Sequence, residues 1–270
     1  MKIDLISDIH LEFGFYKPTN PNQSDVLIMA GDVVPYGMFK DPIKEPKLVQ
    51  FFETCTEMYR YVVYIFGNHE FYQGDMAEAF GVVQKHLNHL QNLHILNNEQ
   101  LKIDDVVFLG GTMWSDCNKE DPMTMLALTQ SMNDYHVIRN SNKASHYSYN
   151  NIIDPEDTVA EFKKFKSFLI KALGEFRQEK CVVVTHHLPS FRAIPEEYRY
   201  DREMNGGYAS NLDEFILNRP QIKYWVFGHT HHPQQFTIGD TQLLNNAQGY
   251  VNVERLDDDL DPYLPVTFEV

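Results

Sequence analysis

A chain of 270 residues, 43% hydrophobic and 23% charged, can bury a sizeable core as one large domain with room for an insertion. Its formal net charge is −15, with 38 acidic against 23 basic residues and no Lys/Arg cluster, which excludes a general electrostatic grip on nucleic acid. No apolar run approaches the ~18 residues of a membrane span, and Asp4 and Asp8 interrupt the N-terminus too early for a signal-peptide core, so a cytoplasmic setting is expected.

In chain order, an apolar run from Ile3 to Ile6 precedes Ser7, Asp8 and His10, and a second strand, Val26 to Ala30, precedes Gly31 and Asp32. Lys47 to Tyr59 reads as a helix. The aromatic and β-branched run Tyr61 to Phe66 reads as a buried strand that stops at Gly67 and presents Asn68, His69 and Glu70. Met76, Ala79, Phe80, Val83, Leu87 and Leu90 recur at spacings of three and four, which predicts an amphipathic helix over 75–90. Short strands follow at Gln100 to Ile103 and Val106 to Leu109.

Gly110 to Ile153 lacks a strong period, apart from a helix near Asp121 to Ser131, and is expected to be an insertion covering one side of a site. Asp154 and Pro155 suit the cap and first position of the next helix. "CVVVTHHLPS" is a strand ending in His186 and His187, residues 190–209 read as loop, and a short helix capped by Ser210 or Asn211 follows. "IKYWVFGHTHH" is a further strand broken by Gly228, and short strands are expected near Thr237–Gly239, Thr241–Leu244 and Val266. Cys55 and Cys181 fall on a helix and a strand as small buried hydrophobes, and Cys117 lies in a polar loop; the three form no zinc spacing and suit a reducing compartment.

Five strand ends thus present Asp8 with His10, Asp32, Asn68 with His69, His186, and His229 with His231. Asp-x-His and His-x-His place two side chains on one side of an extended segment. Carboxylate, imidazole and one amide suit two divalent ions, manganese first and iron, zinc or nickel next, better than calcium or a thiolate site. Two such ions about 3.5–4 Å apart clamp a phosphoryl group and activate water.

The ordered blocks Asp-x-His, Gly-Asp, Gly-Asn-His-Glu, Thr-His and Gly-His-x-His resemble those of the calcineurin-like metallophosphoesterases. "GGTMWSD", "MNDY" and the late "QGY" are similar to the bacterial and phage phosphohydrolase-like branch. The resemblance implies an α/β fold, a layered sandwich of two mixed sheets flanked by helices, forming a single domain over 1–270 with a cap at 110–153. It implies that Asp8, His10 and His231 hold one metal, Asn68, His186 and His229 the other, and Asp32 bridges them. His69 would then be the catalytic residue beyond the metals. The implied reaction is in-line attack of a metal-bridging hydroxide on a phosphate ester, without a covalent enzyme intermediate.

A phosphodiester, small or nucleotidic, is the expected substrate. A phosphomonoesterase for protein or sugar phosphates and a non-catalytic scaffold are the alternatives. Protein phosphatases of the family follow Gly-Asp with an Asp-Arg pair that orients the histidine, whereas here Asp32 continues Val33-Val34-Pro35-Tyr36, so that partner is missing. Trp114, Asn133, Asp134, Tyr135, Arg139 and Tyr208 are candidate substrate contacts, with Tyr147 and Tyr149 as further stacking groups; core packing or loop capping would explain the same residue types. His86, His89 and His94 read as surface, and His187 would replace His186 if the strand register were one off.

Overall fold

The apolar runs read from the sequence lack polar alternation because both faces of the strands are covered. The computed structural model describes residues 1–142, 151–251, 253–254 and 262–270. Its strands are β1 (Lys2–Ile6), β2 (Val26–Ala30), β3 (Tyr61–Ile65), β4 (Leu93–Ile95), β5 (Glu99–Ile103), β6 (Val106–Gly110), β7 (Lys180–Val184), β8 (Ile222–Phe227), β9 (Gln234–Ile238), β10 (Thr241–Asn245) and β11 (Val266–Glu269). They form two sheets, ordered β11-β1-β2-β3-β4 and β5-β6-β7-β8-β10-β9. The central strands of each sheet run parallel, while β11, β5 and β9 join antiparallel at the edges. This is the layered sandwich of two mixed sheets expected from the sequence.

Period-two alternation sorts the side chains into three apolar layers. Ile3, Leu5, Val26, Ile28, Val63 and Ile65 of the first sheet meet Val106, Phe108, Val182, Val184 and Val226 of the second. On the outer face of the first sheet, Leu27, Met29, Val62 and Tyr64 pack against the helices Glu45–Met58 and Met76–Leu87. On the outer face of the second, Val107, Leu109, Cys181 and Val183 pack beneath Phe162, Phe165, Leu169 and Leu173 of the helix Pro155–Glu175. That helix starts in a full capping box between Asp154 and Asp157. Cys55, Cys117 and Cys181 are buried free thiols.

Several local expectations need correction. Residues 190–209 are not loop: two single 3-10 turns precede a helix at Arg202–Tyr208, whose two glycines hide it from a propensity reading but whose Asp201 caps it. The helix Asp213–Leu217 has Leu212 at its N-cap position, but Asn211 Oδ1 accepts from the Asp213 N–H (3.3 Å), while Ser210 Oγ accepts from the Asp116 N–H instead. Strand β4 has only three residues, too few to show a period. Cys117 is buried beneath the left-handed turn 117–120 rather than sitting in an open loop. Among the described residues no helix is long and apolar enough to cross a membrane.

Phe108 is fully buried between the sheets, so Phe108→Ala should lower unfolding free energy by about 3–5 kcal/mol. Chemical denaturation checks this, and a loss below about 1 kcal/mol would contradict the inter-sheet packing.

Candidate metal centre

In parallel sheets all carboxyl ends reach the same edge, and each predicted ligand lies just past one. Asp8 and His10 follow β1, Asp32 follows β2, Asn68 and His69 follow β3, His186 follows β7, and His229 and His231 follow β8. The sheets are stitched together at this edge: Ser7 N–H donates to the Asn246 carbonyl (3.1 Å) and His229 N–H to Asp8 Oδ1 (2.9 Å).

The paired side chains converge, but not by strand alternation. Asp8, His10, Asp32, His229 and His231 all have positive φ, from 42° to 76°, so Asp-x-His and His-x-His are turns beyond the strands rather than extended segments. Left-handed non-glycine residues cost on the order of 1–3 kcal/mol each and persist where the surroundings over-determine them. Two glycines make room. At Gly31 (φ 87°) a Cβ would stand 2.5 Å from His186 Nδ1, and at Gly67 it would collide with the Asp32 carboxylate.

Two donor clusters result, Asp8–His10–His231 and Asp32–His186–His229, the ligand atoms of each within 4.8 Å of one another. Asp32 Oδ2 lies between them, 3.7 Å from His10 Nε2 and 3.3 Å from His186 Nε2. Asn68 Oδ1 is 3.1 Å from His186 Nε2.

The hydrogen bonds behind these atoms decide what they offer. His10 Nδ1 donates to Glu12 Oε1 (3.1 Å), His231 Nδ1 to Glu254 Oε2 (2.7 Å), and His186 Nδ1 to the Ala30 carbonyl (2.9 Å). In neutral rings each Nε2 is then a lone pair. Yet His10 Nε2 faces His231 Nε2 at 3.0 Å, and His186 Nε2 faces two carbonyl-type oxygens. Asp8 Oδ2 and His229 Nε2 are buried with no partner at all. Acceptors facing acceptors, with orphaned donors of electron pairs beside them, fit cations in both clusters.

Without cations, protons fill part of that demand. Burial opposes charge on His186, but Asp32 outweighs it and lifts the imidazole pKa to about 10. His69 is likewise lifted to about 9 against its burial, by Asp32 and Glu12. Burial, with His187 and His186 nearby, pushes His229 down, and burial takes His187 down to about 3.

A ring of outer groups fixes the donors, and sequence reading assigned none of them this task. Glu70 accepts from the backbone N–H of Gly67 (2.6 Å), Asp32 (3.0 Å) and Val33 (2.7 Å) and from Tyr64 Oη (2.8 Å), tying the ends of β2 and β3 together. Asp134 accepts from Asn68 Nδ2 (2.9 Å) and Tyr72 Oη (2.7 Å), so it sits behind Asn68. His69 Nδ1 lies 3.2 Å from Glu12 Oε1, its Nε2 lies 3.1 Å from Tyr250 Oη, and its ring stacks on Tyr72 with centroids 3.9 Å apart. The only sequence signals were positional: Glu12 extends Asp-x-His, Glu70 ends Gly-Asn-His-Glu, and Tyr250 lies in the late "QGY".

A cavity of about 480 Å³ opens over the clusters, lined by His69, Tyr72, Asn133, Asp134, Tyr198, Tyr208 and Tyr250 among others. The other candidate contacts do not line it. Trp114 is buried against Phe71 and His187, and Tyr135 is buried with its hydroxyl on Thr158 Oγ1 (3.0 Å). Arg139 bridges Asp75 and Ile152 through its backbone. All three hold the inserted segment in place. Tyr147 and Tyr149 lie outside the described residues. His187 belongs to neither donor cluster: its ring packs 4.2 Å from that of His229 and its Nδ1 is unpartnered, so the register is the one that offers His186.

A double-sheet sandwich carrying two imidazole–carboxylate clusters at one strand edge defines a metallohydrolase. The calcineurin-like phosphoesterase family profile matches residues 1–233, and the chain belongs to that family, whose members are metal-dependent phosphoric ester hydrolases. An uncharacterized protein of Acanthamoeba polyphaga mimivirus is similar, 27% identical over 91% of this chain and 90% of its own length. Among solved structures, the phosphopantetheinyl hydrolase of Mycobacterium tuberculosis shares the fold at 13% identity and a TM-score of 0.65, covering 92% of this chain and 89% of that one. A dimetal phosphatase from Danio rerio does so at 13% identity and a TM-score of 0.53, covering 90% and 86%.

In chelated protein, His186 and His69 hold protons up to about pH 10 and 9, whereas the unfolded chain gives them up near 6.5. Their stabilisation is therefore complete below about pH 6.5 and disappears as the pH rises through 9 to 10. The Tm of chelated protein should fall over that interval, and divalent metal should flatten the fall. A Tm independent of pH in the absence of metal would contradict the electrostatic reading.

Proposed function

We propose that the chain is a dimetal phosphodiesterase acting on a small or nucleotidic diester. The observation that carries the diester preference is the cavity lining. Asp32, Asp134, Asp201 and Glu254 line it, and among the described residues no Lys or Arg does. A dianionic monoester would bring a second charge that no cationic side chain meets, whereas a diester carries one. Ile194, Pro195, Tyr198, Met204 and Tyr208, which also line the cavity, suit the uncharged ester groups.

In this reading Asp8, His10 and His231 hold one ion, Asn68, His186 and His229 the other, and Asp32 both. Bound divalent cations supply the positive charge for phosphoryl oxygens and lower the pKa of coordinated water. The imidazole, carboxylate and amide donors suit manganese first, then iron, zinc or nickel. Glu12 and Glu254 aim the two imidazoles of the first set, and Asp134 aims the Asn68 carbonyl oxygen inward. His69, a neighbour of these donors, keeps Nδ1 on Glu12 Oε1 and Nε2 beside Tyr250 Oη at the cavity, the placement that a group protonating a leaving oxygen requires. The chain is read as one domain over 1–270 with a cap drawn from 110–153, whose described part contributes Ser131 to Asp134 to the cavity wall. A cytoplasmic, reducing setting accords with three buried free thiols.

Metal-loaded protein should hydrolyse bis(p-nitrophenyl) phosphate with a higher kcat/KM than p-nitrophenyl phosphate; the reverse order would favour a monoesterase. Asp32→Asn and Asn68→Ala should each remove at least one ion per chain while keeping the fold, as read by metal analysis and circular dichroism. Both ions retained in both variants would sink the ligand assignment. His69→Ala should keep the metals and lower kcat by ~10²–10⁴ for poor leaving groups. Equal losses for good and poor leaving groups would argue against the acid role.

A further inference from the structure

The two histidines with different tasks, His10 and His69, share one partner. Glu12 Oε1 lies 3.1 Å from His10 Nδ1 and 3.2 Å from His69 Nδ1, and Glu12 Oε2 is buried without a partner. The rings stand edge to face with centroids 4.5 Å apart, and the Glu12 side chain is 15% exposed. An ionised carboxylate only accepts hydrogen bonds, so both Nδ1 atoms must carry the hydrogen. That leaves His10 Nε2 as a lone pair toward the first donor cluster and makes His69 Nε2 the atom on the cavity side.

We propose that Glu12 is a positioning residue shared by the first metal site and the acid, fixing the tautomer and ring angle of His10 and His69 through one oxygen. This rests on the roles given above to those two histidines. Its consequence is a mechanical link: the ring that faces the metal and the ring that faces the leaving group turn about the same carboxylate. Other groups meet these rings only at their faces or at Nε2: Tyr72 stacks on His69, and Tyr250 packs against His10 with centroids 4.5 Å apart while its hydroxyl meets His69 Nε2, so Glu12 is the group that holds both Nδ1 atoms. Removing Glu12 frees both rings at once. The cluster His10–Glu12–His69 has donor spacing that a third ion could also use, and Glu12 would then be a ligand instead. Against that, His10 would have to coordinate through both nitrogens.

The test combines a substrate-free and a kinetic readout on the full chain. Manganese titration of Glu12→Ala, followed by electron paramagnetic resonance of free ion, should show affinity at one of the two sites weakened ~10–100-fold. At saturating manganese, Glu12→Ala should lose ~10–100-fold in kcat for a phenyl diester and less for a p-nitrophenyl diester. The double variant Glu12→Ala/His69→Ala should then be no slower than His69→Ala alone. Glu12→Gln, which keeps an acceptor oxygen, should recover most of both losses and reports on folding. Losses that multiply in the double variant, or an unchanged manganese affinity, would overturn the shared role. Three ions on the wild-type chain and two on Glu12→Ala would also overturn it, making Glu12 a ligand. A fully active His69→Ala would refute the acid role itself and the kinetic half of the proposal with it, while the affinity measurement needs no substrate and judges the His10 half separately.

Discussion

Electron pairs that face one another without a proton between them are the constraint on which the rest of this structure depends. Left alone, His10 Nε2 against His231 Nε2 and His186 Nε2 against Asp32 and Asn68 would repel, and the side chains would swing apart. They are held by bonds on the far side of each group: Glu12 and Glu254 behind the imidazoles, Ala30 behind His186, Asp134 behind Asn68. Glu70 does the same for the backbone, gathering three N–H groups from the ends of β2 and β3. The arrangement is preorganised for positive charge, and the raised pKa of His186 is its expression when only protons are at hand.

Holding such a set requires a stiff frame. The inter-sheet layer of Ile3, Leu5, Ile28, Val63, Phe108, Val182 and Val226 fixes the two strand edges against each other. Five donors then occupy left-handed backbone positions just beyond that frame. The strain there is local, and close-packed strands on both sides keep it from relaxing. The glycines follow from the same crowding, since Gly31 and Gly67 lie where a methyl group would press on His186 and Asp32.

Much of this was legible in the sequence. Strands covered on both faces leave unmistakable apolar runs, and few residue types bind divalent ions, so polar groups at five strand ends stood out. The outer shell did not. Glu12, Glu70 and Glu254 carry the same letters as the solvated acids of any surface helix, and only the fold reveals which acids are turned inward. Trp114 and Tyr135 misled for a related reason: in an aperiodic stretch, an aromatic side chain reads alike whether it packs a core or lines a cavity. The Asp-x-His and His-x-His geometry was read as strand alternation because sequence carries no direct sign of positive φ outside glycine. The helix Arg202–Tyr208 was hidden by Gly206 and Gly207, which pack closely against the side chains of Asn118 and Leu128.

The central claim is that Asp32 joins two cation sites into one centre, with its Oδ2 between His10 and His186. Electron paramagnetic resonance of the chain loaded with two equivalents of manganese tests it most directly. A carboxylate-bridged pair predicts exchange coupling, seen as a multiline spectrum with spacing about half that of an isolated ion. An uncoupled six-line spectrum at full occupancy would contradict the account.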